Sequence, residues 1–279
     1  MTPPLTRADY GPEDLEGARS LCLFLATLLG DLVEHTVIVG GLVPALLVGE
    51  AGPRAESEPH IGTKDVDLGL ALRVLEKERY SEIAHQLRDA GFEQDVNEAG
   101  RFTRQRWRWR RAPVLKVDFL IPPTDGAAGP GDVQSLETDF GAMITPGLEA
   151  AFEDRRAVRV AGRTPLGDFA ERTVFVCEAG AYVLLKALAC RGRDKPKDAY
   201  DLDWMLRAYG GGVADVAMRF LALPDSPSKR KCLRVLTEDF ASIDHVGPRR
   251  AARFMRREDD LGYRTDVHGR VAEFLRAVT

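Results

Sequence analysis

Apolar residues recur at helical spacing from the start of the chain. Leu15, Ala18, Leu21, Cys22 and Leu25 predict an amphipathic helix over residues 12–34. The period then changes. Residues 36–39 are a short β-branched run that stops at Gly40-Gly41, and residues 42–48 predict a helix behind it. The polar stretch 50–64, with Pro53, Pro59 and Gly62, predicts a loop. A strand follows over 66–72, then a helix over 75–90 closed by Gly91. Residues 102–110 and 114–121 flank Ala112-Pro113 and predict a β-hairpin, and residues 122–133 a loop. Residues 157–161 and 173–177 predict two more strands. Beyond residue 178 the pattern is helical almost to the end: 178–191, 197–209, 213–222, 228–241, 248–258 and 266–277. The prediction is an α/β (α+β) chain, with a mixed sheet and flanking helices over 1–177 and a helical bundle over 178–279.

Composition narrows the function classes. With 279 residues, 44% hydrophobic and 29% charged, the chain has the make-up of an ordinary globular protein. No apolar run approaches the roughly 20 residues needed to span a bilayer, so no membrane partner is expected. The first 16 residues are polar, acidic and proline-bearing, unlike a secretory leader. Cys22, Cys177, Cys190 and Cys232 form no C-x-x-C pair and read as buried hydrophobes of a reducing compartment, which predicts a cytoplasmic location. The net charge of -4 gives no global nucleic-acid signature, so any RNA contact has to come from local basic patches. Two exist. Arg106, Arg108 and Arg110 share one strand face, with Trp107 and Trp109 on the other; Arg249, Arg250, Arg253, Arg256 and Arg257 lie in one arc of a helix. Each reads either as a phosphate-binding patch or as a solvated face.

The chemistry centres on acids. Asp65-Val66-Asp67 opens a strand, and i, i+2 spacing points both carboxylates to one side. Carboxylates held that close repel unless a cation lies between them, and hard oxygen donors suit Mg²⁺ (or Mn²⁺) bound jointly with phosphate. Asp118 sits in an otherwise apolar strand, where an unpaired carboxylate is expensive. Either it shares metal with Asp65 and Asp67, or it pairs with Lys116 two residues away. Gly40-Gly41, between strand and helix, lets backbone amides approach a phosphate. Lys186, in an apolar helix, either snorkels to the surface or meets an anion. Asp198 and Asp201 open the next helix. Asp198 also suits the helix N-terminus for purely electrostatic reasons. None of the five histidines (His35, His60, His85, His245, His268) has metal-ligand spacing to another, and no Walker loop or Gly-x-Ser-x-Gly appears.

The order strand, Gly40-Gly41, helix, loop, Thr63-Lys64-Asp65-Val66-Asp67 and isolated Asp118 resembles the polymerase-β-like nucleotidyltransferase superfamily. Lys186, the basic turn Lys195-Pro196-Lys197 and Asp198-Ala199-Tyr200-Asp201-Leu202 add a likeness to AbiEii-type enzymes, the toxins of type IV and Men-type toxin–antitoxin or abortive-infection systems. The resemblance spans residues 36–206 and departs from the pattern in a long loop before Asp65 and in lacking an Arg before Thr63. It implies a nucleotidyltransferase-like fold whose helical domain completes the active-site cleft. It also implies an enzyme that moves NMP from an NTP to an acceptor hydroxyl, with a tRNA 3′ end favoured. Asp65, Asp67 and Asp118 would hold metal, and Gly40, Gly41, Thr63, Lys186 and Asp198 would seat the NTP. Asp65, Asp67, Asp118, Lys186 and Asp201 would form the catalytic set. A cognate antitoxin is the partner implied. An aminoglycoside-type small-molecule acceptor and a non-catalytic nucleotide- or partner-binding module on the same fold are the alternatives.

Overall fold

The computed structural model describes residues 6–48, 59–71, 77–124 and 129–279. Most of the loop expected over 50–64, the first two residues of the helix expected over 75–90, and the middle of the loop expected over 122–133 lie outside them, as do residues 1–5. In chain order the elements are α1 (Pro12–Leu29), β1 (Thr36–Val39), α2 (Val43–Leu47), β2 (Asp65–Leu70), α3 (Lys77–Asp89), β3 (Phe92–Val96), β4 (Phe102–Trp109) and β5 (Ala112–Ile121). Then come β6 (Val133–Ser135), β7 (Gly141–Ile144), α4 (Leu148–Glu153), β8 (Arg155–Arg163) and β9 (Phe169–Cys177). The helices α5 (Ala179–Gly192), α6 (Lys197–Ala208), α7 (Val213–Ala222), α8 (Pro227–Asp239), α9 (Val246–Met255) and α10 (Leu261–Val278) finish the chain. The architecture is the mixed α/β one that the hydrophobic pattern predicts. Helix α1 stops five residues short of the predicted end, where Gly30 takes φ +56° and a 3₁₀ turn runs to His35.

Two compact units make up the chain. One holds Pro12–Val43 and Gly62–Cys177; the other holds Glu178–Thr279 with the described residues of 6–11, 44–48 and 59–61. In the first, the described strands form one mixed sheet in the order β3-β4-β5-β2-β1-β9-β8, with β7 continuing from the far end of β5 and β6 pairing β7. In the second, α5 to α10 pack on one another. Among the described residues no helix is long and apolar enough to cross a membrane.

Period-2 alternation decides which face of the sheet is core. Val66, Leu68 and Leu70 of β2, Val117, Phe119 and Ile121 of β5, and Trp107 and Trp109 of β4 are all buried. Phe24 of α1 closes that layer against Phe92 and Trp109, with ring centroids 6.0 Å and 5.8 Å apart. Each such side chain contributes about 1.5–3 kcal/mol on burial, which fixes the strand register because a one-residue slip would turn the whole set outward. The alternate positions then have no choice. Asp65 and Asp67 of β2, Lys116 and Asp118 of β5, Arg106 and Arg108 of β4 and Glu93 of β3 share the opposite face. Further along β2 that face is apolar again, where a Cβ on Gly69 would lie 2.9 Å from Val37 and 3.1 Å from Leu148 of α4.

Candidate functional site

Strand pairing brings the sequence-predicted acids of the first unit together. β2 and β5 run parallel with Asp67 opposite Asp118 and Asp65 opposite Lys116. On the other side of β2, Val39 is opposite Asp67, so the chain turns at Gly40 beside the Asp67 carboxylate. Gly40 has φ +72°, and a Cβ built there would fall 1.8 Å from Asp67 Oδ2. The glycine is therefore required twice, for its backbone conformation and for the room it leaves a carboxylate. Helix α2 behind Gly41 has only five residues, less than the sequence pattern predicted and too short for an appreciable dipole. Thr63 is buried; its hydroxyl donates to the Asp65 carbonyl at 3.3 Å and lies 3.5 Å from the Asp65 amide, bracing the entry to β2.

Asp118 does not pair with Lys116. The antiparallel β4 places Arg106 opposite Asp118, and its guanidinium donates through Nε to Oδ1 at 2.8 Å and through Nη2 to Oδ2 at 2.5 Å. The same Nη2 lies 3.7 Å from Asp65. The hydrogen bond to Asp118, with the charges of Asp118, Asp65 and Asp67, holds the Arg106 pKa above its ordinary value against the cost of burial. Lys116 reaches instead to Asp95 at 2.7 Å, and Arg108 to Glu93 at 2.7 Å. One sheet face thus carries a row of alternating charge whose acidic end is Asp65, Asp67 and Asp118.

The donor set can be tested against a divalent metal. Asp65 and Asp67 supply hard oxygens from adjacent same-face positions and fit Mg²⁺. Asp118 is next to them in register, but both of its oxygens are engaged by Arg106. Among the described residues no three acidic, histidine or cysteine side chains are gathered around one point that could hold an ion.

The second unit holds the other predicted residues in a buried ionic cluster. Lys186, from the middle of α5, is 6% exposed. The anion it meets is a pair of carboxylates: Asp198 at 2.9 Å and Asp201 at 2.7 Å. Arg193 also donates to Asp198, at 2.8 and 3.0 Å, and Lys197 to Asp201 at 2.6 Å. Burial alone would lower the Lys186 pKa, but Asp201 and Asp198 outweigh it and hold it above the ordinary value. Burial likewise works against the charged form of both carboxylates and is overcome by Lys186, with Arg193 at Asp198 and Lys197 at Asp201, so both stay well below the usual range. Burial pulls Lys197 down to about 8 although Asp201 opposes it.

His60 completes this cluster, and sequence reasoning assigned it nothing. Its Nε2 lies 2.9 Å from Asp201 Oδ1, and its ring stacks on Tyr200 and meets the edge of Trp204, with centroids 5.5 and 5.0 Å away. Neutral imidazole donates to the carboxylate there. The pair does not charge the ring, because burial and the neighbouring Lys197 outweigh Asp201 and lower the His60 pKa to about 4. A lone histidine in a polar loop gives no pattern that could have revealed this.

The arginine patches are less basic than their sequence suggests. Arg104 donates to Ser135, Arg106 to Asp118 and Arg108 to Glu93. In the second unit α9 ends at Met255, and Arg256 takes φ 56°, so the arc of arginines is broken there. Arg250 pairs with Asp194 at 2.9 Å and Arg257 with Asp260 at 2.6 Å. The open groove beside α9, about 700 Å³, is lined by Arg249, Arg250, Arg253 and Arg264, but also by acids such as Asp244 and Glu258.

Two measurements check the buried cluster. Lys186→Ala strips compensation from two buried carboxylates and should cost about 3–5 kcal/mol in urea unfolding; an unchanged midpoint would contradict the pairing. His60 binds a proton in the unfolded chain below pH 6.5 but in the folded chain only near 4, so stability falls as pH drops across that window. Its share is roughly 3 kcal/mol, and His60→Gln, which keeps a donor for Asp201, should remove that part of the slope. Equal slopes for the two proteins would show that His60 is not held neutral.

No family model matches the chain, and no curated protein matches it in sequence. Its structure is similar to that of an antigenic nucleotidyltransferase-like protein from Paracoccidioides brasiliensis, with 16% identity over 82% of this chain and 89% of that one and a TM-score of 0.42. A likeness that distant carries no activity from one chain to the other.

Proposed function

We propose that the chain is a divalent-metal-dependent nucleotidyltransferase that moves NMP from an NTP to an acceptor hydroxyl. The observation that carries this reading is Asp67 opposite Asp118 on neighbouring strands, with Gly40, just past the end of β1, giving room to the Asp67 carboxylate and Asp65 two residues before Asp67 on the same face. A loop glycine cut away to admit one carboxylate, beside two more, is an arrangement whose repulsion a doubly charged cation relieves. Mg²⁺ (or Mn²⁺), when bound, would supply Lewis-acid polarisation of phosphate oxygens and charge neutralisation.

The chain's own residues do the rest. Asp65 and Asp67 would hold the metal, Gly40 and Gly41 present backbone close to where phosphate would lie, and Thr63 keeps the entry to β2 in place. The acceptor oxygen attacks the α-phosphorus, the bond from that phosphorus to the β-phosphate bridging oxygen breaks, and pyrophosphate leaves. The hydroxyl proton passes to a carboxylate or to water. Catalysis is then positioning and charge compensation, with no covalent intermediate on the protein. A tRNA 3′ end is the acceptor, and a toxin role with a cognate antitoxin the setting, that the sequence resemblance to AbiEii-type enzymes favours. For Lys186, Asp198 and Asp201 the ion pairs described above support a part in shaping the helical unit.

The test is transfer of label from α-labelled NTPs, each base in turn, to mixed tRNA with Mg²⁺. The wild type should transfer label, and Asp65→Asn with Asp67→Asn should lose at least about 100-fold of that rate. The double variant should melt no lower than the wild type in the absence of metal, since two like charges are gone. Full activity in the folded double variant would sink the assignment. Nucleotide binding with no transfer to any acceptor would leave the binding-module reading in its place.

A further inference from the structure

Arg106, at the acidic end of the sheet, has no task in the reaction above. Its geometry is specific. It stands opposite Asp118 in the β4–β5 register, grips both carboxylate oxygens in a planar fork, and reaches within 3.7 Å of Asp65. Asp118 is buried beneath it, with a side chain 8% exposed, whereas the Arg106 side chain is 36% exposed. The carboxylate has little freedom to turn away. The arginine, at the end of a long flexible stem, has a path to solvent. One guanidinium thus neutralises part of the acidic end of the face, bonded to Asp118 and close to Asp65.

We infer that Arg106 is a resident counter-ion that competes with the divalent metal for Asp118. In the resting site the guanidinium occupies Asp118 and stands in for positive charge that Asp65, Asp67 and Asp118 need. Metal loading of the full acidic set requires the fork to let go. Once released, the same fork is suited to a phosphate, because guanidinium matches phosphate oxygens with the bidentate geometry it uses on a carboxylate. Arg106 is therefore a positioning residue. It holds Asp118 in place while metal is absent, and it sets how readily the third carboxylate becomes available. This rests on the metal-dependent reading of the site.

The experiment is Mn²⁺ titration of the whole protein without nucleotide, read by the electron paramagnetic resonance signal of free Mn²⁺. Arg106→Met keeps the stem and removes the competitor, so it should bind Mn²⁺ at least about 3-fold tighter than the wild type, the size of one coupled pair. That gain should be smaller when Asp118→Asn is already present, because there is then no carboxylate to release. Arg106→Lys keeps the charge without the fork and should fall between wild type and Arg106→Met; it serves as the test if the methionine variant does not fold. A folded Arg106→Met (or, if that variant is unfolded, Arg106→Lys) that binds Mn²⁺ no tighter overturns the inference. So does a gain of the same size in the Asp118→Asn background, which would reduce Arg106 to a general electrostatic effect. The metal reading itself fails separately: Mn²⁺ binding that is indifferent to Asp65→Asn with Asp67→Asn would remove it, and the inference with it.

Discussion

Asp65, Asp67 and Asp118 leave adjacent positions of two parallel strands on one face of a sheet, and their mutual repulsion has to be met by positive charge. Much of the first unit follows from that constraint. The opposite face spends its side chains on core, with Trp107, Val117 and Phe119 buried, so the register cannot slip to separate the acids. Gly40 has no side chain because the Asp67 carboxylate fills the space where one would be. Arg106 and Lys116 are drawn into the same face, each opposite or diagonal to an acid. An isolated pair at a surface contributes little, but here Asp118 is buried and the contact is bidentate, which makes it costly to break by removing one partner.

The second unit solves a similar problem with a different result. Lys186, Lys197 and Arg193 surround Asp198 and Asp201, and the neutral His60 caps the group through Asp201. Every cation in it has a carboxylate partner. Such a cluster contributes little net stability over an apolar core, yet it is intolerant of losing any one member. It acts as a lock on the packing of α5 against α6, and Lys186 and Asp198, which the resemblance would have seat the NTP, are among the residues that form it.

Most elements legible in the sequence are those long enough to show a period; β1, four residues, is legible from its β-branched run alone. The six C-terminal helices and the β4–β5 hairpin emerged within a few residues because apolar spacing repeats several times in each. β6 has three residues, β7 four, α4 six, and β3 five with a bulge before Val96, so none offers a repeat to count, and none of the four is among the expected elements. The pairing of Asp65 with Asp67 was legible because i, i+2 geometry is local. The partner of Asp118 was not, since its choice between Lys116 and Arg106 depends on how Asp95 competes for Lys116 across two strands. Counting outward from the expected strands 102–110 and 114–121, with residue 110 opposite 114, puts Arg106 opposite Asp118; the observed turn pairs Trp109 with Ala112 and reaches that register through a shift between Arg108 and Trp109. His60 was invisible: its partner lies 141 positions away in the chain.

Manganese anomalous diffraction, from crystals grown with Mn²⁺ and a non-hydrolysable NTP analogue, shows directly whether Asp65 and Asp67 hold metal. The expected result is an anomalous peak within about 2–2.6 Å of carboxylate oxygens of both Asp65 and Asp67, with the triphosphate beside the Gly40-Gly41 turn and Asp118 released from Arg106. A fully occupied analogue with no metal at Asp65 and Asp67, or metal bound only elsewhere on the chain, would contradict it.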